Sequence, residues 1–212
     1  MQKTQMAAPE LAAVDVPGLS RGSFLLRSVL ATGAVVGAAA STGFVGRALA
    51  QGASGDVDIL NFALSLEQLE TTFYERALNK GRNLGAEVRE LAEQLRDDER
   101  AHVEALTATI RDLGGMPGQA PMVGFGDVFT DRRTFLKVAA SVEDLGVSAY
   151  NGAAPMISDG KVLAAAGGIV QVEARHAALI RLMAGRTPAP KSFDEAQSNE
   201  QVLAAVKPFI RS

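Results

Sequence analysis

The sequence contains no cysteine among its 212 residues. This absence excludes disulfide bonds, thiolate zinc sites, cysteine-ligated iron–sulfur clusters and a catalytic thiol. A metal ion bound by this chain must therefore be held by oxygen or by imidazole nitrogen.

Aromatic residues are also few, with no tryptophan and two tyrosines, and long strand-like alternations of Val, Ile and Thr are missing. Ala, Leu, Val and Glu are plentiful instead. Helix-period apolar stripes in such a composition predict an all-α fold. The net charge is −3. Without a basic face, nucleic acid is not an expected partner.

The first fifty residues differ from the rest and predict an export signal. Residues 20–27 read Ser-Arg-Gly-Ser-Phe-Leu-Leu-Arg, an apolar run of small residues follows, and Ala48-Leu49-Ala50 ends it as an A-x-A cleavage pattern. The segment resembles a twin-arginine signal with Gly22 in place of the second arginine. We expect cleavage after Ala50 and a periplasmic or extracellular protein. The alternative is an uncleaved membrane anchor, since about 20 apolar residues can span a bilayer.

Residues 51–184 predict a single four-helix domain, with helices at about 56–80, 86–113, 132–153 and 161–184. Asp56 or Asp58 is expected to cap the first helix. Short turns join the helices of each pair, whereas a long connection, expected to pack on the bundle through Met116, Met122 and Phe125, joins the pairs. This pattern predicts an antiparallel bundle of two hairpins joined by one long crossover. The tail, 185–212, can add a short amphipathic helix within 199–210.

Both histidines of the chain follow a glutamate by three residues, as Glu99-Arg-Ala-His102 and Glu173-Ala-Arg-His176. Both tyrosines follow a glutamate by seven, so that Glu67 precedes Tyr74 and Glu143 precedes Tyr150. Either spacing places the two side chains on one helix face. Each motif lies on an apolar stripe. The pattern Glu-x6-Tyr followed by Glu-x-x-His therefore occurs twice, as a pseudo-repeat.

The register of the helices predicts that these side chains meet in one layer. Glu67 and Glu99 are equally far from the first turn, centred on Asn83, and Glu143 and Glu173 are equally far from the second, centred on Ser158. Four buried carboxylates need donors, protons or cations, and two divalent ions balance their charge. Oxygen and imidazole ligands suit iron, manganese or zinc. The sequence thus predicts a dinuclear metal site.

Other acidic and tyrosine residues allow more than one interpretation. Tyr74 and Tyr150 either place hydroxyls beside the ligands, where they orient a carboxylate or solvent, or simply pack in the core. Glu70 can be a further ligand, although a glutamate at the edge of a stripe is usually solvated. Asp97, Asp98 and Glu104 are expected to be surface charges.

The order of these motifs resembles the ferritin-like superfamily over about residues 56–184. Within it, residues 61–67, 143–150 and 173–176 are similar to the exported ferritin-like group that includes desiccation-related proteins. The resemblance implies two metal ions, iron first and manganese second, and redox chemistry with oxygen or peroxide. The ligands it implies are Glu67, Glu99, His102, Glu143, Glu173 and His176.

The resemblance leaves three functions open. An iron pair would oxidise Fe(II) or reduce peroxide in stress protection, and a manganese pair would dismutate peroxide. In the third interpretation, the site is structural and the protein is a stress-related module with little turnover. A homo-oligomer stays open, whereas storage of metal in a cage is not expected, since nothing in the sequence identifies assembly surfaces or pores. Contact with a membrane is expected only through an uncleaved signal.

Overall fold

Two helical hairpins and a short C-terminal helix make up the part of the chain that the computed structural model describes, residues 55–211. The predicted all-α four-helix bundle is confirmed. The helices are α1 (Asp56–Lys80), α2 (Ala86–Asp112), α3 (Arg132–Ala153), α4 (Gly160–Met183) and α5 (Asn199–Val206), with short 3₁₀ turns at Ala154–Met156 and Lys207–Phe209. The predicted export signal, residues 1–50, lies outside the described residues.

The helix α1 packs mainly against α2, and α3 packs mainly against α4. The turn between α1 and α2 ends at Gly85, whose φ of 82° lies in the left-handed region that glycine adopts without strain. The helix α4 is capped by Asp159, whose carboxylate accepts hydrogen bonds from the backbone of Lys161 and Val162. Gly85 in the first turn and Asp159 in the second therefore each favour the start of the helix that follows.

The predicted capping of α1 by an aspartate side chain is wrong. Gly55 occupies the N-cap position, without a side-chain hydrogen bond. The Asp56 carboxylate accepts hydrogen bonds from the backbone N–H groups of Ser158 and Asp159, at 2.8 and 2.7 Å. Asp56 therefore ties the start of α1 to the turn between α3 and α4.

The crossover between α2 and α3 is anchored by polar and aromatic contacts. The Asn61 side chain of α1 donates to Met116 O at 3.2 Å and accepts from Gly118 N at 2.7 Å. Phe125 packs edge-on against Phe73, with ring centroids 5.1 Å apart. Met116 and Met122 are 85% and 67% exposed, so the prediction that they pack on the bundle is wrong. They lie on the outer side of a segment whose phenylalanines face inward.

The C-terminal segment closes over the crossover and α3. An antiparallel bridge joins Val123 to Ile210, and Gln197 N donates to Ser148 O at 3.0 Å. A Cβ on Gly152 would lie 1.9 Å from Gln197 O, so this close approach requires glycine. The helix α5 ends earlier than position 210 because Pro208 lacks the N–H that an α-helix requires.

Between residues 55 and 211, no helix combines the length and apolar character needed to cross a bilayer.

Candidate metal centre

All six predicted ligands lie together in the middle of the bundle, each contributed by one of its four long helices. The helix α1 supplies Glu67 and α3 supplies Glu143, while α2 and α4 each supply a Glu-x-x-His pair. The four carboxylates have no solvent-exposed surface, and the residues His102 and His176 are 8% and 2% exposed. The register predicted from the turns thus places the six side chains in one layer.

The six side chains form two overlapping groups whose ligand atoms lie within 4.8 Å of one another. The first group is Glu67, Glu99, His102 and Glu173. The second group is Glu99, Glu143, Glu173 and His176. Each group contains three carboxylates and one imidazole. Glu99 and Glu173 belong to both, whereas Glu67 and Glu143 each belong to one.

The His102 imidazole lies at the centre of the first group. Its Nδ1 atom is 3.1 Å from a carboxylate oxygen of each of Glu67, Glu99 and Glu173. A single imidazole nitrogen cannot satisfy three carboxylates. The three carboxylate oxygens and the imidazole nitrogen instead face one shared space.

The His176 imidazole occupies the matching position in the second group. Its Nδ1 atom lies 2.9 Å from Glu99 Oε1, 3.5 Å from Glu143 Oε2 and 3.9 Å from Glu173 Oε1. The centroids of the two imidazole rings are 6.2 Å apart. The same nitrogen, Nδ1, therefore faces the carboxylates in both histidines.

The two tyrosines bind the carboxylates of the opposite hairpin. The Tyr74 hydroxyl of α1 donates a hydrogen bond to Glu143 Oε1 of α3. The Tyr150 hydroxyl of α3 donates to Glu67 Oε1 of α1 at 2.6 Å. Each hydroxyl holds one oxygen of a carboxylate that belongs to a single group, which fixes how that carboxylate is turned.

A family model described as the ferritin-like domain matches residues 55–186 of this chain. The chain belongs to the ferritin-like domain family. A search among curated proteins found no match. The matched residues contain the four long helices and every side chain of the two groups, and buried Glu/His clusters of this kind are compatible with a di-metal site.

Several buried polar atoms of this layer lack an ordinary hydrogen-bond partner, although buried polar atoms are nearly always paired. Glu70 Oε2 and Glu173 Oε2 have no hydrogen-bond partner. Glu99 Oε1, Glu143 Oε2 and Glu173 Oε1 face only the imidazole nitrogens, at 2.9 to 3.9 Å. Most of them belong to the second group. Converging carboxylate oxygens and an imidazole nitrogen are a donor set that fits a divalent cation.

Burial and mutual repulsion set the electrostatics of the carboxylates. Burial raises the pKa of Glu99 to about 7, against hydrogen bonds with His102 and His176 that lower it. Burial, followed by repulsion from Glu67 and Glu99, raises the pKa of Glu173 well above its usual range. In the absence of a cation, the layer therefore holds protons at neutral pH.

The pKa values of both imidazoles are raised, whereas burial alone would lower them. Burial lowers the pKa of His102, but the carboxylates of Glu173, Glu67 and Glu99 outweigh it and raise the pKa to about 12. For His176, burial likewise opposes the effect of Glu143 and Glu99, which raise the pKa to about 11. Both imidazoles are therefore cationic in the metal-free ferritin-like domain at neutral pH.

Asp98 is a member of the site that sequence reasoning assigned to the surface. Its Oδ2 lies 3.1 Å from His176 Nε2, the ring nitrogen that faces away from the cluster. A carboxylate at Nε2 keeps a proton there, so Nδ1 is the ring nitrogen that can bind a cation once it has lost its own proton. The signal in the sequence was its position beside Glu99. The partner on α4 could not be identified from α2 alone.

Glu70 is the second residue whose environment differs from the usual solvated glutamate. Its side chain is only 3% exposed. Burial, followed by repulsion from Glu173 and Glu67, raises its pKa well above the usual range. Glu70 belongs to neither four-residue group, yet it is a fifth carboxylate in the same interior.

Proposed function

We propose that this protein binds two iron or manganese ions between its four long helices and uses them to oxidise Fe(II) or to consume peroxide. The observation that carries the proposal is the overlap of two buried groups, each with three carboxylates and one imidazole. Two buried groups that share two carboxylates would hold two ions side by side, as in two-metal sites.

The overlap supports a division of roles among the ligands. Glu99 and Glu173 would contact both ions, because each belongs to both groups. Glu67 and His102 would hold one ion, and Glu143 and His176 would hold the other. The four carboxylates carry four negative charges, which two divalent ions balance. This balance supports two ions rather than one.

When bound, a pair of iron or manganese ions would supply the electron-transfer steps that Fe(II) oxidation or peroxide consumption needs. Side chains around the cluster would hold the ligands of such a pair in position. Tyr74 and Tyr150 hold the carboxylates that belong to a single group, and Asp98 fixes the proton of His176 on Nε2. The zero exposure of the four carboxylates keeps bulk water from competing for the ions.

We propose further that the protein works in an exported compartment, where it contributes to stress protection. Support for this part comes from the first fifty residues, with their basic start, apolar run and A-x-A pattern. The similarity of residues 61–67 to desiccation-related ferritin-like proteins supports the stress role.

The first experiment measures metal content and turnover of protein purified from its exported compartment. We expect about two ions per chain, identified by elemental analysis. Iron-loaded protein should oxidise added Fe(II) under air or consume peroxide, whereas dismutation of peroxide by manganese-loaded protein alone would select the manganese function. If both loaded forms bind two ions without turnover, the protein is a structural metal-binding module and the enzymatic proposal is wrong.

A matched pair of variants tests whether the metal lies at this site. Glu99→Ala removes a shared ligand of α2, and Glu104→Ala removes an exposed carboxylate of the same helix. We expect metal occupancy to fall in the first variant and to stay at two ions in the second. Wild-type protein that neither binds added Fe(II) or Mn(II) nor changes its melting temperature with them would refute the metal site itself.

A further inference from the structure

The two halves of the bundle repeat the same ligands, but they differ at one position. Glu67 and Tyr74 on α1 correspond to Glu143 and Tyr150 on α3, and the tyrosines cross between the halves. Three residues after the first glutamate of each half, α1 carries Glu70 and α3 carries Gly146. The pseudo-repeat therefore places a carboxylate on one side and no side chain on the other.

The missing side chain of Gly146 makes room for the extra carboxylate. A Cβ built on Gly146 would lie 3.0 Å from Glu70 Oε1 and 2.9 Å from Glu173 Oε2. Contacts this short would force one of the two carboxylates to move. Glu70 and the shared ligand Glu173 therefore approach one another across the bare backbone of α3.

Nothing in the described part of the chain satisfies Glu70 Oε2. The atom is buried without a hydrogen-bond partner, and so is Oε2 of the adjacent Glu173, whose Oε1 faces His102 Nδ1 at 3.1 Å. The strongest charge interactions of Glu70 are repulsive, with Glu173 and Glu67. A buried polar group without a partner costs about 1–3 kcal/mol, and more when it is charged. Without a cation this group keeps its proton, and in its ionised form it needs a cation beside it.

We propose that Glu70 is a seventh protein ligand of the metal pair, which enters the site through the space beside Gly146. The proposal rests on the proposed function. Glu70 lies outside both four-residue groups, so coordination requires its carboxylate to rotate toward Glu173. Three side-chain torsions of glutamate allow this movement without a change in α1.

The seventh ligand makes the two metal positions unequal. Six of the ligands are related by the pseudo-repeat, so alone they would give each ion equivalent protein ligands. Glu70 adds an oxygen without a counterpart at Gly146. Once coordinated, Glu70 would take a place that solvent or a small oxidant could otherwise take, and it would thereby limit their access to the site.

Cobalt(II) is a suitable probe because its visible absorption becomes stronger as its coordination number falls. Wild-type protein, Glu70→Gln and the exposed-site control Glu104→Gln are titrated with Co(II) without air. We expect two ions per chain in all three proteins. The Glu70→Gln variant should show stronger visible absorption and an affinity at least about tenfold weaker, while the control should match the wild type.

Gly146→Ala provides a second variant that keeps the Glu70 carboxylate but fills its space. We expect it to change the Co(II) spectrum in the same direction. The metal-free Glu70→Gln protein should melt at or above the wild-type temperature, since the change removes a buried acidic group and keeps its shape. A lower melting temperature with an unchanged Co(II) spectrum would assign Glu70 a structural role and overturn the proposal.

The outcomes separate this inference from the function on which it rests. If wild type and Glu70→Gln bind two Co(II) ions with the same spectrum and affinity, Glu70 is not a ligand and the six-ligand site stands. If wild-type protein binds no Co(II), the proposed metal site is wrong and the role of Glu70 is wrong with it.

Discussion

The affinity of the site for metal should rise steeply with pH, because each imidazole must lose a proton before Nδ1 can bind an ion. In the metal-free protein, the pKa values of His102 and His176 are raised to about 12 and 11. Both imidazoles therefore carry a proton on the ligand nitrogen at every pH from 6 to 8. Loading two ions should release at least two protons per chain.

The number of released protons sets the size of the effect. Two protons make the combined binding constant for two ions rise by about 100-fold per pH unit, which is about 10,000-fold from pH 6 to pH 8. Glu99, with a pKa of about 7, adds to the slope below neutral pH. Carboxylates with ordinary pKa values would add nothing in this range, because they are already ionised.

Two measurements with Mn(II) in the absence of air test the effect. A competing chelator gives the affinity at each pH, and an indicator dye in weakly buffered solution counts released protons. His102→Asn should release about one proton fewer than the wild type, while Glu104→Gln should release the same number. Binding of two ions with less than one proton released at pH 7 would refute the assignment of cationic imidazoles as ligands.

The same pKa values predict the opposite pH dependence for the stability of the metal-free protein. Glu99 has a folded pKa raised from 4.5 to about 7, so its stabilising contribution is present below pH 4.5 and is lost as pH rises to 7. The loss is up to about 3 kcal/mol. The raised pKa values of the imidazoles act in the same direction above pH 6.5. Metal-free protein should therefore melt at a lower temperature at pH 8 than at pH 5, and metal-loaded protein should not.

Three further changes test individual contacts. Asp98→Ala should weaken metal affinity by about 10 to 100-fold in a chelator competition, whereas Asp97→Ala, its exposed neighbour, should leave affinity unchanged. Asn61→Ala removes both side-chain contacts to the crossover and should lower the free energy of unfolding in urea by about 1–3 kcal/mol; an unchanged value would show that the crossover is held elsewhere. Phe73→Ala should lower it by about 3–5 kcal/mol, well beyond the effect of Met122→Ala at an exposed site.

The four long helices and the meeting of the six side chains followed from the sequence because helix geometry is regular. Spacings of three and seven residues fix which side chains share a face, and equal distances from a turn fix their depth. These two quantities are enough to predict that Glu67 and Glu99, which belong to one hairpin, meet at the same depth in the bundle. They also suffice for Glu143 and Glu173.

The environments of Asp98 and Glu70 could not be obtained in this way, since they depend on how one hairpin is rotated against the other. Asp98 reaches His176 across the contact between α2 and α4. Glu70 is buried because Gly146, on α3, has no side chain at the point of contact. Met116 and Met122 are exposed for a similar reason. The side of the crossover that carries Phe125 faces the bundle, and the sequence alone does not reveal which side does so.

Each of the two Glu/His groups takes three side chains from one hairpin and one from the other. Once loaded, Glu99 and Glu173 would join residues that are far apart along the chain, across a crossover held otherwise by polar and aromatic contacts. Bound ions would act as reversible cross-links, closing a long loop and restricting the unfolded chain as a disulfide does. A protein without a single cysteine would then owe its main cross-link to its supply of metal.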